Sequence, residues 1–292
     1  MRSLIIGMGF GQLYKSILTK MGHEVITVDG DISKSADFPT VESAIFSYGQ
    51  FDTVNICTPN CTHLDLAIKL APFSKIIFVE KPGVKDKATW QGLIDNFPNT
   101  RFIMVKNNMW RDNIVELKQK AINAKKIKFN WINRDRVPNP GSWFTDKKLA
   151  FGGVSRDLMP HLLSLYVALN PNWETDMLDG YSAITRWQLS DLANTDYGTV
   201  NLNGIYNVDD KCRFSFNSKW DLEADWRRIT DEKINIEFTN QNNTVDTFEL
   251  GLCPEYAYES MISDAIKNIA NAQFWEEQEK IDLWIHERIE NI

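Results

Sequence analysis

The sequence predicts an α/β domain built on a doubly wound parallel sheet, followed by an α+β domain with a large, mainly antiparallel sheet. Three observations carry this. An apolar run at the start leads into a glycine turn, a helix, a second strand and an acid. Strand-like and helix-like segments then alternate as far as residue 105, a pattern that calls for a parallel sheet with helices on its faces. From residue 180 onward short strands follow one another across Asn, Asp and Gly turns, and strands grouped after helices indicate a mostly antiparallel sheet.

The first strand is Ser3 to Ile6, and Gly7-Met8-Gly9-Phe10-Gly11-Gln12 follows directly. Leu13 to Met21 reads as a helix ended by Gly22. His23 to Asp29 is rich in β-branched residues and ends in an acid. Strand, glycine turn, helix, strand and acid is the order of a dinucleotide-binding βαβ unit. Gly7 permits the tight turn, and Gly9 lets backbone N–H groups approach a pyrophosphate at the positive end of the helix. Asp29 is positioned to accept hydrogen bonds from adenosine ribose hydroxyls and to repel a 2′-phosphate. The expected cofactor is therefore NAD, with NADP the alternative that Lys34 would favour. Gly7, Gly9, Phe10, Gly11, Gln12 and Asp29 are the expected contacts. The third glycine of the usual pattern is replaced by Gln12, with Gly11 one position earlier, so a shifted first helix is expected.

Val41 to Tyr48 reads as a helix, Thr53 to Cys57 as a strand and Thr62 to Leu70 as a helix. Lys75 to Val79 is a strand ending in Glu80-Lys81-Pro82-Gly83, Lys87 to Asn96 is helical, and Arg101 to Val105 is a strand. Ligands of such sheets bind at the carboxyl ends of the strands, where Gly7, Asp29, Thr58 and Lys81 all fall.

Composition bounds the function. The 292 residues are 43% hydrophobic and 24% charged, the profile of a soluble globular chain. A net charge of −7 with no basic block argues against nucleic acid as a partner. No apolar run nears the ~20 residues needed to span a bilayer, and no signal peptide is evident. Cys57, Cys61, Cys212 and Cys253 suit reduced thiols in a cytoplasmic protein. No metal site is expected, because Cys57 and Cys61 lack a second ligand pair at zinc spacing.

The second concentration of chemistry is Gly152-Gly153-Val154-Ser155-Arg156-Asp157-Leu158-Met159-Pro160-His161. Asp157 is a candidate N-cap for a helix whose first turn holds Pro160. Residues four apart share a helix face, so the Asp157 carboxylate and the His161 imidazole can meet one small molecule. Imidazole suits proton transfer near neutrality.

Four motifs in order resemble the Gfo/Idh/MocA (glucose–fructose oxidoreductase / inositol dehydrogenase) family, over nearly the whole chain. They are the glycine turn, Thr58-Pro59-Asn60 with His63 shortly after, Glu80-Lys81-Pro82, and Gly152-Gly153 followed by Asp157 and His161. The resemblance implies cofactor contacts at Thr58, Pro59, Asn60, His63, Glu80 and Lys81, and a cis bond before Pro82. It implies that Lys81, Asp157 and His161 carry catalysis and, with Asn108, bind substrate. His161 would take the hydroxyl proton while hydride moves between nicotinamide and a carbinol carbon, and Lys81 would polarise the oxygen. Asn108 and Arg111 read equally as substrate contacts or as linker residues. The family often has three glycines where Phe151 takes the first place, and a small residue where Met159 and Pro160 stand, so the pocket is expected to be reshaped.

The resemblance implies an NAD(P)-dependent dehydrogenase acting on a hydroxyl or carbonyl of a sugar, cyclitol or nucleotide-sugar. The alternatives are an imine or enone reductase on the same fold, or a cofactor-binding sensor without turnover. Residues 1–108 are expected to bind the dinucleotide, and 109–292 the substrate. In the second domain Ile114 to Asn123 is an amphipathic helix, Lys126 to Asn133 a strand, Arg134 to Trp143 a loop over the pocket, and His161 to Asn170 a helix. Strands are expected at Gly180–Trp187, Gly198–Tyr206, Lys211–Lys219, Trp226–Thr230, Lys233–Thr239 and Thr244–Leu250, and closing helices at Glu255–Ala272 and Glu276–Ile292. Glu279-Lys280 and His286-Glu287 read as solvated helix faces. One sheet face is aromatic-rich: either core or, as the resemblance implies, the surface of a homodimer or homotetramer.

Overall fold

A computed structural model describes every residue except 135, 194–199 and 229–231. The chain divides into two compact units. Unit 1 comprises Met1–Val105 and Glu255–Glu290, and unit 2 comprises Lys106–Pro254 and Asn291–Ile292. The expected cut at 108/109 lies close to the first boundary, but the closing helices belong with unit 1.

Unit 1 holds strands β1 (Arg2–Ile6), β2 (Glu24–Val28), β3 (Phe51–Ile56), β4 (Ser74–Val79) and β5 (Arg101–Met104) in the order β2-β1-β3-β4-β5. Every pairing is parallel. The strand order reverses between β1 and β3, so the turns after these two strands flank the switch point where such sheets take ligands. Both faces are covered, and so β1, β3 and β4 read as nearly continuous buried runs.

The connecting helices are α1 (Gly11–Lys20), α2 (Val41–Tyr48), α3 (His63–Leu70) and α4 (Lys87–Asn96). Local chemistry sets their ends. Thr40 caps α2 by accepting from the Ser43 N–H, and Asp86 caps α4 by accepting from Thr89. Gly49 ends α2 at φ 73°, where a side chain would be strained.

Unit 2 opens with helix α5 (Ile114–Asn123) and strand β6 (Lys126–Ile132). Short helices α6 (Lys147–Ala150) and α7 (Val154–Asp157) lead to α8 (Met159–Leu169). Then come β7 (Leu178–Ile184), helix α9 (Leu189–Leu192), β8 (Lys211–Phe216), β9 (Trp220–Asp225), β10 (Lys233–Thr239) and β11 (Val245–Glu249). The sheet order is β11-β10-β6-β9-β8-β7, antiparallel except for the β6–β9 pair. Helices α10 (Glu255–Lys267) and α11 (Ala272–Ile289) return to unit 1.

Two expected strands differ. Residues 200–206 of the Gly198–Tyr206 segment form turns, with 198 and 199 outside the described residues. The strand expected at Trp226–Thr230 lies instead at Trp220–Asp225, and 229 and 230 are not described.

The aromatics settle the question of faces. Phe129, Trp220, Phe214 and Phe216 are buried on one side of the sheet, with Tyr166 of α8 stacked on Phe216 at 4.6 Å. This is core, at roughly 1.5–3 kcal/mol for each large apolar side chain buried. The opposite face is charged: Glu223 pairs with Lys128 at 3.2 Å and Lys211 at 3.1 Å, and Arg213 with Asp221 at 2.6 Å. An aromatic oligomer surface on this sheet is therefore not what the chain builds.

Candidate active site

The glycine turn sits at the carboxyl end of β1. Gly7 has φ +90°, and a Cβ there would lie 2.8 Å from the Cys57 carbonyl oxygen. Only glycine fits both demands. At Gly9 a Cβ would meet nothing within 4 Å, so the turn's outer side is open to an approaching ligand. Gly11, at the start of α1, is packed so that a Cβ would lie 2.8 Å from Ile5 Cγ2. It takes over the close helix–strand packing expected of the missing third glycine, and Gln12 is exposed. Phe10 is 46% exposed beside the turn.

Asp29 follows β2. Its carboxylate accepts from the Met8 N–H at 2.7 Å and the Asp31 N–H at 2.8 Å. Two backbone donors thus hold it against the glycine turn. Open turn, helix N-terminus and fixed acid fit the diphosphate and ribose of a dinucleotide.

Beside it, Thr58 and Thr62 share a 2.6 Å hydroxyl hydrogen bond, and the Thr62 hydroxyl donates to Pro59 O at 2.7 Å. Asn60 is half-buried on the same turn. His63 differs from expectation. It is fully buried, with Nδ1 2.7 Å from Gly83 O and Nε2 2.8 Å from Thr58 O. With both nitrogens turned to carbonyls, it ties the loop after β3 to the loop after β4 and offers no surface to a cofactor. Burial lowers its pKa, outweighing the two carbonyls that favour the imidazolium.

Glu80 is likewise buried. It accepts from the Tyr14 hydroxyl at 2.7 Å and the Lys81 N–H at 3.2 Å, so it fixes the backbone at Lys81. Burial and the Glu80 charge raise the Tyr14 pKa well above its ordinary value, which keeps it a donor. Lys81 is half-buried, and the Lys81–Pro82 bond is cis.

The sequence reading missed the support beneath this loop. His286 of α11, expected in solvent, is fully buried and stacked on Trp90 at 4.9 Å. Its Nε2 accepts from the Val84 N–H at 3.2 Å and its Nδ1–H donates to Asp282 O at 2.6 Å. Asp282, also fully buried, accepts from the Met104 N–H at 2.9 Å. With buried Ile281 and Ile285, the face of α11 carrying Asp282 and His286 points into the core.

In unit 2 the Gly152-Gly153 turn is held by Asp209, which accepts from Gly153 N at 2.8 Å and Ser155 N at 2.7 Å. A Cβ on Gly153 would lie 1.8 Å from Asp209 O, so no side chain fits. Phe151, in the first glycine's place, has φ 69°, the left-handed region in which glycine is at ease.

Asp157 is not the cap of α8. It ends α7, while Leu158 occupies the α8 N-cap position without a side-chain bond. The Asp157 carboxylate accepts from Trp226 Nε1 at 2.9 Å. His161 is 8% exposed and stacked on Trp131 at 5.2 Å. Its Nδ1 lies 3.0 Å from Asn108 Nδ2, and Asn108 Oδ1 accepts from Arg111 Nε at 2.8 Å. Asn108, read from the sequence as a possible substrate contact, is fully buried and its amide faces His161. Arg111 is anchored by Leu250 O at 2.7 Å and Gly251 O at 3.1 Å, not solvated in a linker.

Among the described residues no group of three or more His, Cys, Asp or Glu is arranged to hold a metal, and no helix is long and apolar enough to cross a membrane.

No protein-family model and no curated protein matches the sequence. Solved structures do match the fold. Levoglucosan dehydrogenase in complex with NADH and levoglucosan superposes with a TM-score of 0.72 at 15% identity, covering 100% of this chain and 97% of that one. GenD2 from gentamicin A biosynthesis, in complex with NAD, gives 0.69 at 17% identity over 100% and 94%. A myo-inositol dehydrogenase from Corynebacterium glutamicum ATCC 13032 gives 0.69 at 14% identity over 98% and 94%. Along its whole length, the chain has the fold that these dehydrogenases share.

Proposed function

We propose that this chain is an NAD-dependent dehydrogenase of the Gfo/Idh/MocA type, acting on a hydroxyl or carbonyl of a sugar, cyclitol or nucleotide-sugar. The observation that carries the reading is the cradle formed by the Gly7 turn and Asp29. Its open outer side suits a diphosphate, and its fixed carboxylate suits a ribose diol. The similar folds include enzymes solved with NAD or NADH, one with levoglucosan bound as well. Four free cysteines suit a reducing, cytoplasmic setting.

Bound nicotinamide would supply the hydride acceptor or donor. The chain's own residues do the rest. Backbone N–H groups at Gly9 and Phe10 receive the diphosphate, with Gln12, Thr58, Pro59 and Asn60 bordering the cofactor. Asp29 takes the ribose hydroxyls and repels a 2′-phosphate. Lys81, Asp157 and His161 bind the substrate oxygen and manage its proton. Assembly into a dimer or tetramer through the unit 2 sheet would rest on paired charges and would weaken with salt, which sedimentation in low and high salt measures.

Titration of nicotinamide fluorescence tests the cofactor reading. NADH is expected to bind more tightly than NADPH, and Asp29→Ala to narrow the gap. Tighter NADPH binding by the unaltered protein would overturn it. Absorbance change with a panel of sugars and cyclitols separates an enzyme from a sensor that binds NADH without turnover.

A further inference from the structure

We infer that Asn108 and Arg111 fix the tautomer of His161, so that its neutral ring carries the proton on Nε2 and acts as a hydrogen-bond donor, not as the base. The chain of donors leaves one arrangement. Arg111 has no acceptor, so the group 2.8 Å from its Nε must be the Asn108 carbonyl. The Asn108 amide N–H₂ then faces His161 Nδ1 at 3.0 Å. An amide nitrogen only donates, so Nδ1 accepts and the ring proton resides on Nε2. Arg111 cannot easily release this arrangement, because its two terminal nitrogens are bound to Leu250 O and Gly251 O. Stacking on Trp131 fixes the ring plane, and full burial of Asn108 keeps water from competing.

The functional meaning rests on the proposed dehydrogenase reading. An oxygen that meets Nε2 meets a proton donor. A substrate carbonyl is polarised by it, and an alcohol oxygen is oriented by it. The proton lost when a carbinol is oxidised then passes to one of the other two proton-handling groups of the proposed site, Lys81 or Asp157. His161 is on this reading a catalytic donor, and Asn108 and Arg111 are positioning residues.

The tautomer is measurable without substrate or cofactor, so its outcome is independent of the dehydrogenase reading. Long-range proton–nitrogen correlation spectra of the nitrogen-labelled full-length protein resolve the ring nitrogens of its four histidines, and His161→Gln assigns the signals. At a pH well above the ordinary histidine value of about 6.5, His161 is expected to show a bare, pyridine-like Nδ1 and a protonated Nε2. A protonated Nδ1, or an averaged mixture, would overturn the inference. Asn108→Asp still accepts from Arg111 but cannot donate, so it is expected to move the His161 proton to Nδ1. An unchanged tautomer in a folded Asn108→Asp would refute the role given to Asn108, and should that variant fail to fold, the wild-type spectrum decides alone.

Discussion

His63 and His286 have both ring nitrogens engaged in the interior of unit 1, and each governs the loop after β4 in its own way. His286→Phe would keep the ring against Trp90 but leave the Val84 N–H unpaired, at a cost of about 1–3 kcal/mol. Urea unfolding is expected to show that loss. His63 adds a pH dependence. Its folded pKa is below the ordinary value, so between the two values the unfolded chain binds more protons. Its contribution is complete above about pH 6.5 and declines as pH falls toward the folded pKa, by at most about 1.4 kcal/mol per pH unit. Half-buried His23 is lowered as well and adds in the same direction. Unfolding between pH 7.5 and 5 is expected to show stability falling in acid, with a flatter slope in His63→Asn. The sequence singled out His63 and His161 as candidate site residues, but not which carbonyls and amides face their rings. Those partners are distant in the chain: Gly83 for His63, Asn108 for His161.

Element by element, the parallel sheet was legible because buried strands with glycine and polar turns leave a strong pattern. The second sheet was less so. β9 reads Trp220-Asp221-Leu222-Glu223-Ala224-Asp225, and acids are depleted in strands. Here they are tolerated because lysines and arginines of neighbouring strands and of the β9 exit pair with them across the charged face. The 200–206 segment carries strand-like residues but is pinned as a loop. Asn201 N donates to Pro140 O, and a Cβ on Gly204 would lie 2.0 Å from Gly141 O. Asp157 and His161 were found by helical spacing, yet they are separated by the break between α7 and α8, and Trp226 holds the carboxylate. Trp226→Phe is expected to remove a hydrogen bond to a charged group worth about 1.5–3 kcal/mol. If Asp157 acts on substrate, steady-state kinetics of this variant will show a lower kcat/KM while NADH affinity is unchanged.

At the scale of the molecule, the return of α10 and α11 to unit 1 was invisible in the sequence, since amphipathic faces do not name their partners. Buried Asp282 and His286 are the trace of it, each satisfying a backbone N–H at the carboxyl edge of the parallel sheet. A chain ending at Pro254 would remove both of these acceptors and leave the β5 side bare of α11. It is expected to lose NADH binding by fluorescence titration, and retained affinity would show that α11 is dispensable. The four motifs and their order carried the function reading through a chain whose relatives by structure are only 14–17% identical. The substrate stays coarse because Phe151, Met159 and Pro160 depart from the common pattern.

The most direct measurement is turnover of NAD with the sugar and cyclitol panel, comparing the unaltered chain with Lys81→Ala, Asp157→Ala and His161→Ala. The unaltered chain is expected to reduce NAD with at least one polyol. The Asp157 and His161 variants are expected to bind NADH as before, and all three to lose roughly 100-fold or more in rate, the scale of a displaced proton-handling group. Undiminished turnover in all three variants would contradict the chemistry assigned to these residues.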